Sequence, residues 1–138
     1  MSFHPPLGTS LVETTATARM RGHCSGTLVD PDGSRREIDR ATTAYHARAA
    51  GLASCAGGIP TGEGHLVIAG ERIDFLLDER RATAVALITL TGLDGGTAAV
   101  VGRTPPDTDV VDTATECTQN ELSSVPVDFT LATTSISG

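Results

Sequence analysis

The stretch from Gly62 to Asp78 restricts the fold more than any other part of the chain. It reads GEGHLVI, then Ala69-Gly70, then ERIDFLLD. Two runs of apolar and β-branched residues joined by a two-residue, glycine-containing connection are a strong short-range signal for a β-hairpin. A two-residue turn also fixes the register. Ile68 stands opposite Glu71, Val67 opposite Arg72, Leu66 opposite Ile73, His65 opposite Asp74 and Gly64 opposite Phe75. Side chains alternate along a strand, so Gly64, Leu66, Ile68, Ile73, Phe75 and Leu77 share one apolar face, the predicted core. Glu63, His65, Val67, Arg72, Asp74 and Leu76 share the other.

The same grammar recurs along the chain. Leu11 to Met20 reads as a strand. Cys24 to Val29 and Ser34 to Asp39 flank the turn Asp30-Pro31-Asp32-Gly33. Ala82 to Thr91 is a long apolar strand, turned by 93–96 into Thr97 to Arg103, and Val125 to Thr134 closes the series with Pro126 at its entry, where a strand tolerates it. Gly26-x-Leu28-Val29 with Arg36-x-Ile38-Asp39 weakly echoes Gly64-x-Leu66-Val67 with Arg72-Ile73-Asp74. The 138 residues suit one domain over 1–138, since two cores of half that size would barely offset chain entropy. The expected class is all-β: a small antiparallel β-barrel of about eight strands, of lipocalin or cyclase-barrel type. A polar loop is expected at about 104–124, after Pro105-Pro106. Asp39 to Leu52 fits helix nearly as well as strand, and Thr42, Thr43 and Tyr45 tip it to strand.

Charge and motifs exclude several function classes. The formal charge is −7 and all ten basic residues are arginine, which gives no footprint for nucleic acid or an anionic membrane. No glycine-rich phosphate loop stands between a strand and a helix, and no Cys-x-x-Cys pair offers a zinc site, so neither cofactor nor metal is expected. Cys24, Cys55 and Cys117 allow one disulfide and one free thiol, with three pairings open. The N-terminal segment lacks a basic start followed by an apolar run, which reads as cytoplasmic, with a trimmed secreted chain as the alternative.

Ser54-Cys55, Thr61-Gly62-x-Gly64-x-Leu66, the hairpin through Asp74-Phe75, the strand Ala84 to Thr91, and Cys117 before the strand Val125 to Leu131 form a pattern of their own. The chain resembles, over roughly its last two-thirds, a group of small, mostly secreted, functionally uncharacterised actinobacterial β-barrel proteins. The resemblance implies the barrel and brings no catalytic residues with it. The chain departs from that group in lacking a signal and in its charged run Glu79-Arg80-Arg81.

A strand register at 45–53 puts Tyr45, Ala47, Ala49, Gly51 and Ala53 on one face, so a small-residue interior could hold an apolar ligand with Tyr45 as its polar handle. His46 shares the opposite face. His65 and Asp74 form a cross-strand pair of the kind that orients a general base, although such pairs are more often solvated ion pairs. Arg103, at a strand end, could anchor a carboxylate or enolate, and Glu116 and Glu121 could serve as lid carboxylates. These residues give the expectation of a hydrophobic, polycyclic or natural-product-like molecule in a barrel lumen. Cofactor-free cyclisation or isomerisation by Tyr45, His46, His65, Asp74 and Arg103 is favoured over a non-catalytic carrier or an exported, disulfide-stapled binding module. Orientation alone can lower a barrier by about 7–11 kcal/mol. A symmetric dimer stays open.

Overall fold

A computed structural model describes residues 1–29, 32–82, 85–93 and 95–135. Among them the chain is almost wholly β. The strands are β1 (Ser2–Leu7), β2 (Val12–Val29), β3 (Arg35–Ser54), β4 (Gly57–Gly58), β5 (Thr61–Ile68), β6 (Glu71–Ala82), β7 (Val85–Gly92), β8 (Thr97–Arg103), β9 (Leu122–Ser124) and β10 (Asp128–Ser135), and one helix, α1 (Val110–Gln119), precedes β9. All ten strands belong to one antiparallel sheet, in the order β10-β8-β7-β6-β4-β3-β2-β1-β9, with β5 also pairing β3 and β6. The hairpin register holds as expected, from Ile68 opposite Glu71 to Gly64 opposite Phe75, with His65 opposite Asp74. The segment 39–52 is strand.

The sheet is rolled. Five ladder steps lead from β3 through β5, β6, β7 and β8 to β10, a span of about 24 Å in a flat sheet. Yet the Tyr45 ring of β3 stacks 6.0 Å from the Phe129 ring of β10, and 5.6 Å from Phe75 of β6. The three rings meet across the interior together with Leu66, Ile73, Leu77, Ile88, Leu90 and Val100. A second cluster of Phe3, Leu7, Ala16, Ala53, Cys117 and Leu122 fills the end nearer the N-terminus. Small residues permit the curvature where β3 meets β5. A Cβ on Gly62 would overlap the Arg48 carbonyl, and one on Gly64 would stand 2.8 Å from Phe75 Cζ.

Several elements differ from the sequence-based expectation. The strand count is ten rather than about eight. β1 forms through Pro5 and Pro6 between β2 and the terminal strand β9, and it pairs β2 over only three residues, Ser2 to His4, before the prolines. The first strand runs past Met20 to Val29, and β6 runs on to Ala82, with β7 starting at Val85. Residues 30 and 31 of the predicted first turn, residues 83 and 84 of the strand predicted from Ala82 to Thr91, and residue 94 of the later turn lie outside the described residues. The echoing hairpins do not share a register, since Leu28 faces Arg36 whereas Leu66 faces Ile73.

The largest difference is at 104–124, where α1 and β9 replace the expected loop. Asp109 caps α1, its Oδ1 accepting from the amides of Val111 and Asp112 at 2.9 and 3.1 Å. Cys117, on the last turn, is bonded to Cys55, 62 positions earlier in the chain, with a Cα separation of 5.8 Å. A short helix of β-branched and acidic residues has little intrinsic stability. The cap and the disulfide hold it against the open end of the roll. Cys24 is the free thiol.

Two outcomes are expected. Reducing Cys55–Cys117, or the Cys55→Ser/Cys117→Ser double variant, lowers unfolding free energy by about 2–5 kcal/mol in urea titrations, because a long loop is released in the unfolded chain. Gly64→Ala costs about 1–3 kcal/mol in the same measurement, since the β3–β5 approach leaves no room for a methyl group.

Candidate functional site

The alternation that sends Ile73, Phe75 and Leu77 inward continues without a break along β6, so Glu79 and Arg81 also point into the roll. Their side chains are only 2% and 10% exposed. Arg81 Nη2 donates to Glu79 Oε1, and the same nitrogen lies 2.8 Å from Met1 Sδ. The guanidinium sits over the Phe3 ring, 4.8 Å from its centroid. Removing two charges from water costs several kcal/mol per ion, and mutual pairing with good hydrogen bonds offsets it. Together they make a neutral unit in an otherwise apolar wall, and no buried side-chain nitrogen or oxygen among the described residues lacks a partner.

Arg81 borders a cavity of about 510 Å³ at the end of the roll covered by α1. Its walls are apolar: Phe3 and Leu7 of β1, Val85 and Ala86 of β7, Leu122 of β9, and Val127. Ala114 and Cys117 present α1 to it, and Cys55 adds the other half of the disulfide. Arg81 is the one charged side chain in this lining, among hydroxyls from Thr9, Ser54, Thr104, Thr113 and Thr118. A concave apolar space of this size with one fixed polar group is the usual form of a small-molecule site.

A second cavity of about 470 Å³ opens nearer the other end, and Tyr45 lines it together with Leu66, Phe129 and Leu131. Tyr45 thus faces the interior, as its strand register predicted. Burial, and after it the negative charge of Glu79, raises the Tyr45 phenol well above its ordinary value.

The other predicted site residues stand elsewhere. His46 pairs across the ladder with His65, and His65 with Asp74, so the three form a row on the outer face. The His46 and His65 rings meet edge to face, 5.4 Å apart. Asp74 takes its hydrogen bonds from Arg72, whose Nε and Nη2 donate at 3.0 and 2.7 Å; these hold its carboxyl below the usual range, with smaller help from His65. Arg103 is exposed, while its neighbours Gly102 and Thr104 line the α1-covered cavity. Glu116 and Glu121 are exposed as well. The interior therefore receives Tyr45, and the outer face receives the His46, His65 and Asp74 row.

Sequence reasoning misses Arg81 and Glu79 as site residues, because a charged tripeptide such as Glu79-Arg80-Arg81 ordinarily lies in solvent. The available signal was phase: both residues continue the apolar face of β6 at two-residue spacing. Among the described residues no group of His, Cys, Asp and Glu is arranged to hold a metal ion. No helix among them is long and apolar enough to cross a membrane. The chain matches no protein-family model, no curated protein and no solved structure at a significant level.

Tyr45 is the only tyrosine and there is no tryptophan, so its ionisation can be followed alone. A phenol whose folded pKa is raised stays protonated in the native state. Its contribution to stability is intact below the unfolded pKa of about 10 and is lost as pH rises above it. The ultraviolet band of phenolate should be absent while the fold persists above that pH, and should appear together with loss of the β circular-dichroism signal.

Proposed function

We propose that the chain binds a neutral, apolar small molecule in the cavity beneath α1, with Arg81 as the hydrogen-bond donor that orients it. The observation that carries this reading is a buried guanidinium at the wall of an apolar cavity of about 510 Å³. Arg81 is already neutralised by Glu79. A ligand carboxylate would therefore lose its hydration without finding an unpaired cationic side chain in the lining, which costs several kcal/mol. A ketone, lactone or ester oxygen accepts from the remaining guanidinium N–H groups without that penalty. The ligand is accordingly a polycyclic or natural-product-like compound carrying a neutral acceptor.

Non-catalytic binding is the better-supported form of this reading, because Tyr45 borders the other cavity and His46, His65 and Asp74 stand on the outer face. Cofactor-free cyclisation or isomerisation would have to rest on Arg81 polarising a carbonyl, with Glu79 as the nearby base. One observation favours that second reading: Glu79 is placed inside, beside Arg81, rather than in solvent. The Cys55–Cys117 disulfide supports an oxidising compartment, hence the secreted form of the chain.

The test uses Nile red, a neutral polycyclic carbonyl compound, as the probe. It should bind one per chain and be displaced by neutral polycyclic ketones at least about tenfold more readily than by carboxylates of equal size, a difference of about 1.4 kcal/mol. Ala114→Trp, which adds bulk at the cavity from α1 and leaves Glu79 and Arg81 unsubstituted, should abolish binding while the unfolding midpoint stays near that of the unmodified chain. Stronger displacement by carboxylates, or full binding by Ala114→Trp, would overturn the proposal.

A further inference from the structure

The rolled sheet contains a lane, between β2 and the segment running from β9 into β10, that a strand fills along only part of its length among the described residues. In the filled part β1 lies between β2 and β9: Ser2, Phe3 and His4 pair with Thr17, Ala16 and Thr15 on one side, and Ser2 pairs with Ser124 on the other. Met1 and Val125 extend this with two reciprocal backbone bonds of 2.9 Å. Both walls then continue beyond Met1. β2 runs on to Val29, and the chain after β9 runs on into β10. Over Arg19 to Cys24, β2 pairs only with β3, and β10 pairs only with β8, among the described residues.

The second cavity, about 470 Å³, occupies this interval. Five consecutive residues of β2, Met20 to Cys24, border it on one side, and Asp128, Phe129 and Leu131 of β10 border it on the other. Consecutive residues of both phases lining one space mean that the space lies along the strand edges themselves. Met20, Cys24, Phe129 and Leu131 are only half-buried although they pack against the main core. A Cβ on Gly22 would meet nothing within 4 Å. Two unpaired backbone edges facing one interval expose N–H and C=O groups that a strand satisfies and a compact ligand does not.

We propose that this lane receives an extended peptide strand from a partner protein, which adds to the sheet in line with β1. The register states its chemistry. Positions opposite Met20, Gly22 and Cys24 turn inward, toward Tyr45, Leu66 and Phe129, and carry apolar side chains. Intervening positions turn outward beside Arg19, Arg21 and His23. Arg19 and Arg21 enter no ion pair among the described residues, and with His23 they outnumber the one carboxylate on the facing wall, Asp128 of β10, so the outward positions beside β2 carry carboxylates. The partner segment alternates apolar and acidic residues over about six positions, the mode of recognition in which main-chain bonds give affinity and alternate side chains give selectivity. This inference is independent of the cavity beneath α1.

The experiment is backbone hydrogen–deuterium exchange of the full chain, with an acetylated peptide of alternating Glu and Val as the probe. The peptide should slow exchange about tenfold or more at amides within Arg19–Cys24 and Asp128–Leu131. A peptide with Lys in place of Glu should bind at least about tenfold more weakly, and one N-methylated at alternate amides should give no protection. No protection by the Glu/Val peptide at millimolar concentration would overturn the proposal. Equal binding of the Lys peptide would overturn its charge assignment. Protection at the same amides that grows with protein concentration and needs no peptide would assign the lane to a second copy of this chain and overturn the partner assignment.

Discussion

The stacking of Tyr45 between Phe75 and Phe129 holds the architecture together, because it ties strands that lie far apart along the sheet into one interior. Three of the chain's four aromatic rings other than histidine are spent there, and the fourth, Phe3, carries the Arg81 guanidinium. With no tryptophan and so few large side chains, the roll must close around small residues. Ala47 and Ala49 of β3 pair with Gly64 and Gly62 of β5, and this close approach lets Phe75 reach inward. Space left over is collected at the ends, as the two cavities.

The two ends differ in chemistry. Beneath α1 the wall is backed by side chains and a disulfide, and the one charged side chain is buried with its counter-charge. That suits a small apolar molecule held by burial and one directed hydrogen bond. Between β2 and β10 the wall includes strand edges with unpaired backbone groups, which suits another strand. The buried ion pair contributes little to stability against an apolar replacement, but it gives the first cavity a fixed donor in a site without mobile charge.

Much of this was legible from local pattern. The two-residue turn at Ala69-Gly70 set the β5–β6 register, and alternation placed Tyr45, Ala47, Ala49 and Ala53 inward. Asp39 to Leu52 was ambiguous because alanine suits a helix as well as a strand, and only pairing on both sides, with β2 and β5, decides it. α1 was not legible: its threonines, valines and aspartates are poor helix formers, and its anchors are a cap and a bond to a residue 62 positions away. Glu79 and Arg81 were hidden by their neighbourhood, since a charged tripeptide ordinarily marks solvent and only the phase of β6 argues otherwise. The lane between β2 and β10 depends on where a third strand stops, which no local pattern encodes.

Native mass spectrometry of the protein isolated from its own source tests the central claim most directly. The account predicts one uncharged small molecule retained per folded chain and lost on unfolding, with Ala114→Trp isolated empty from the same source. An anionic compound bound in that cavity, or a folded chain without any small molecule, would contradict it.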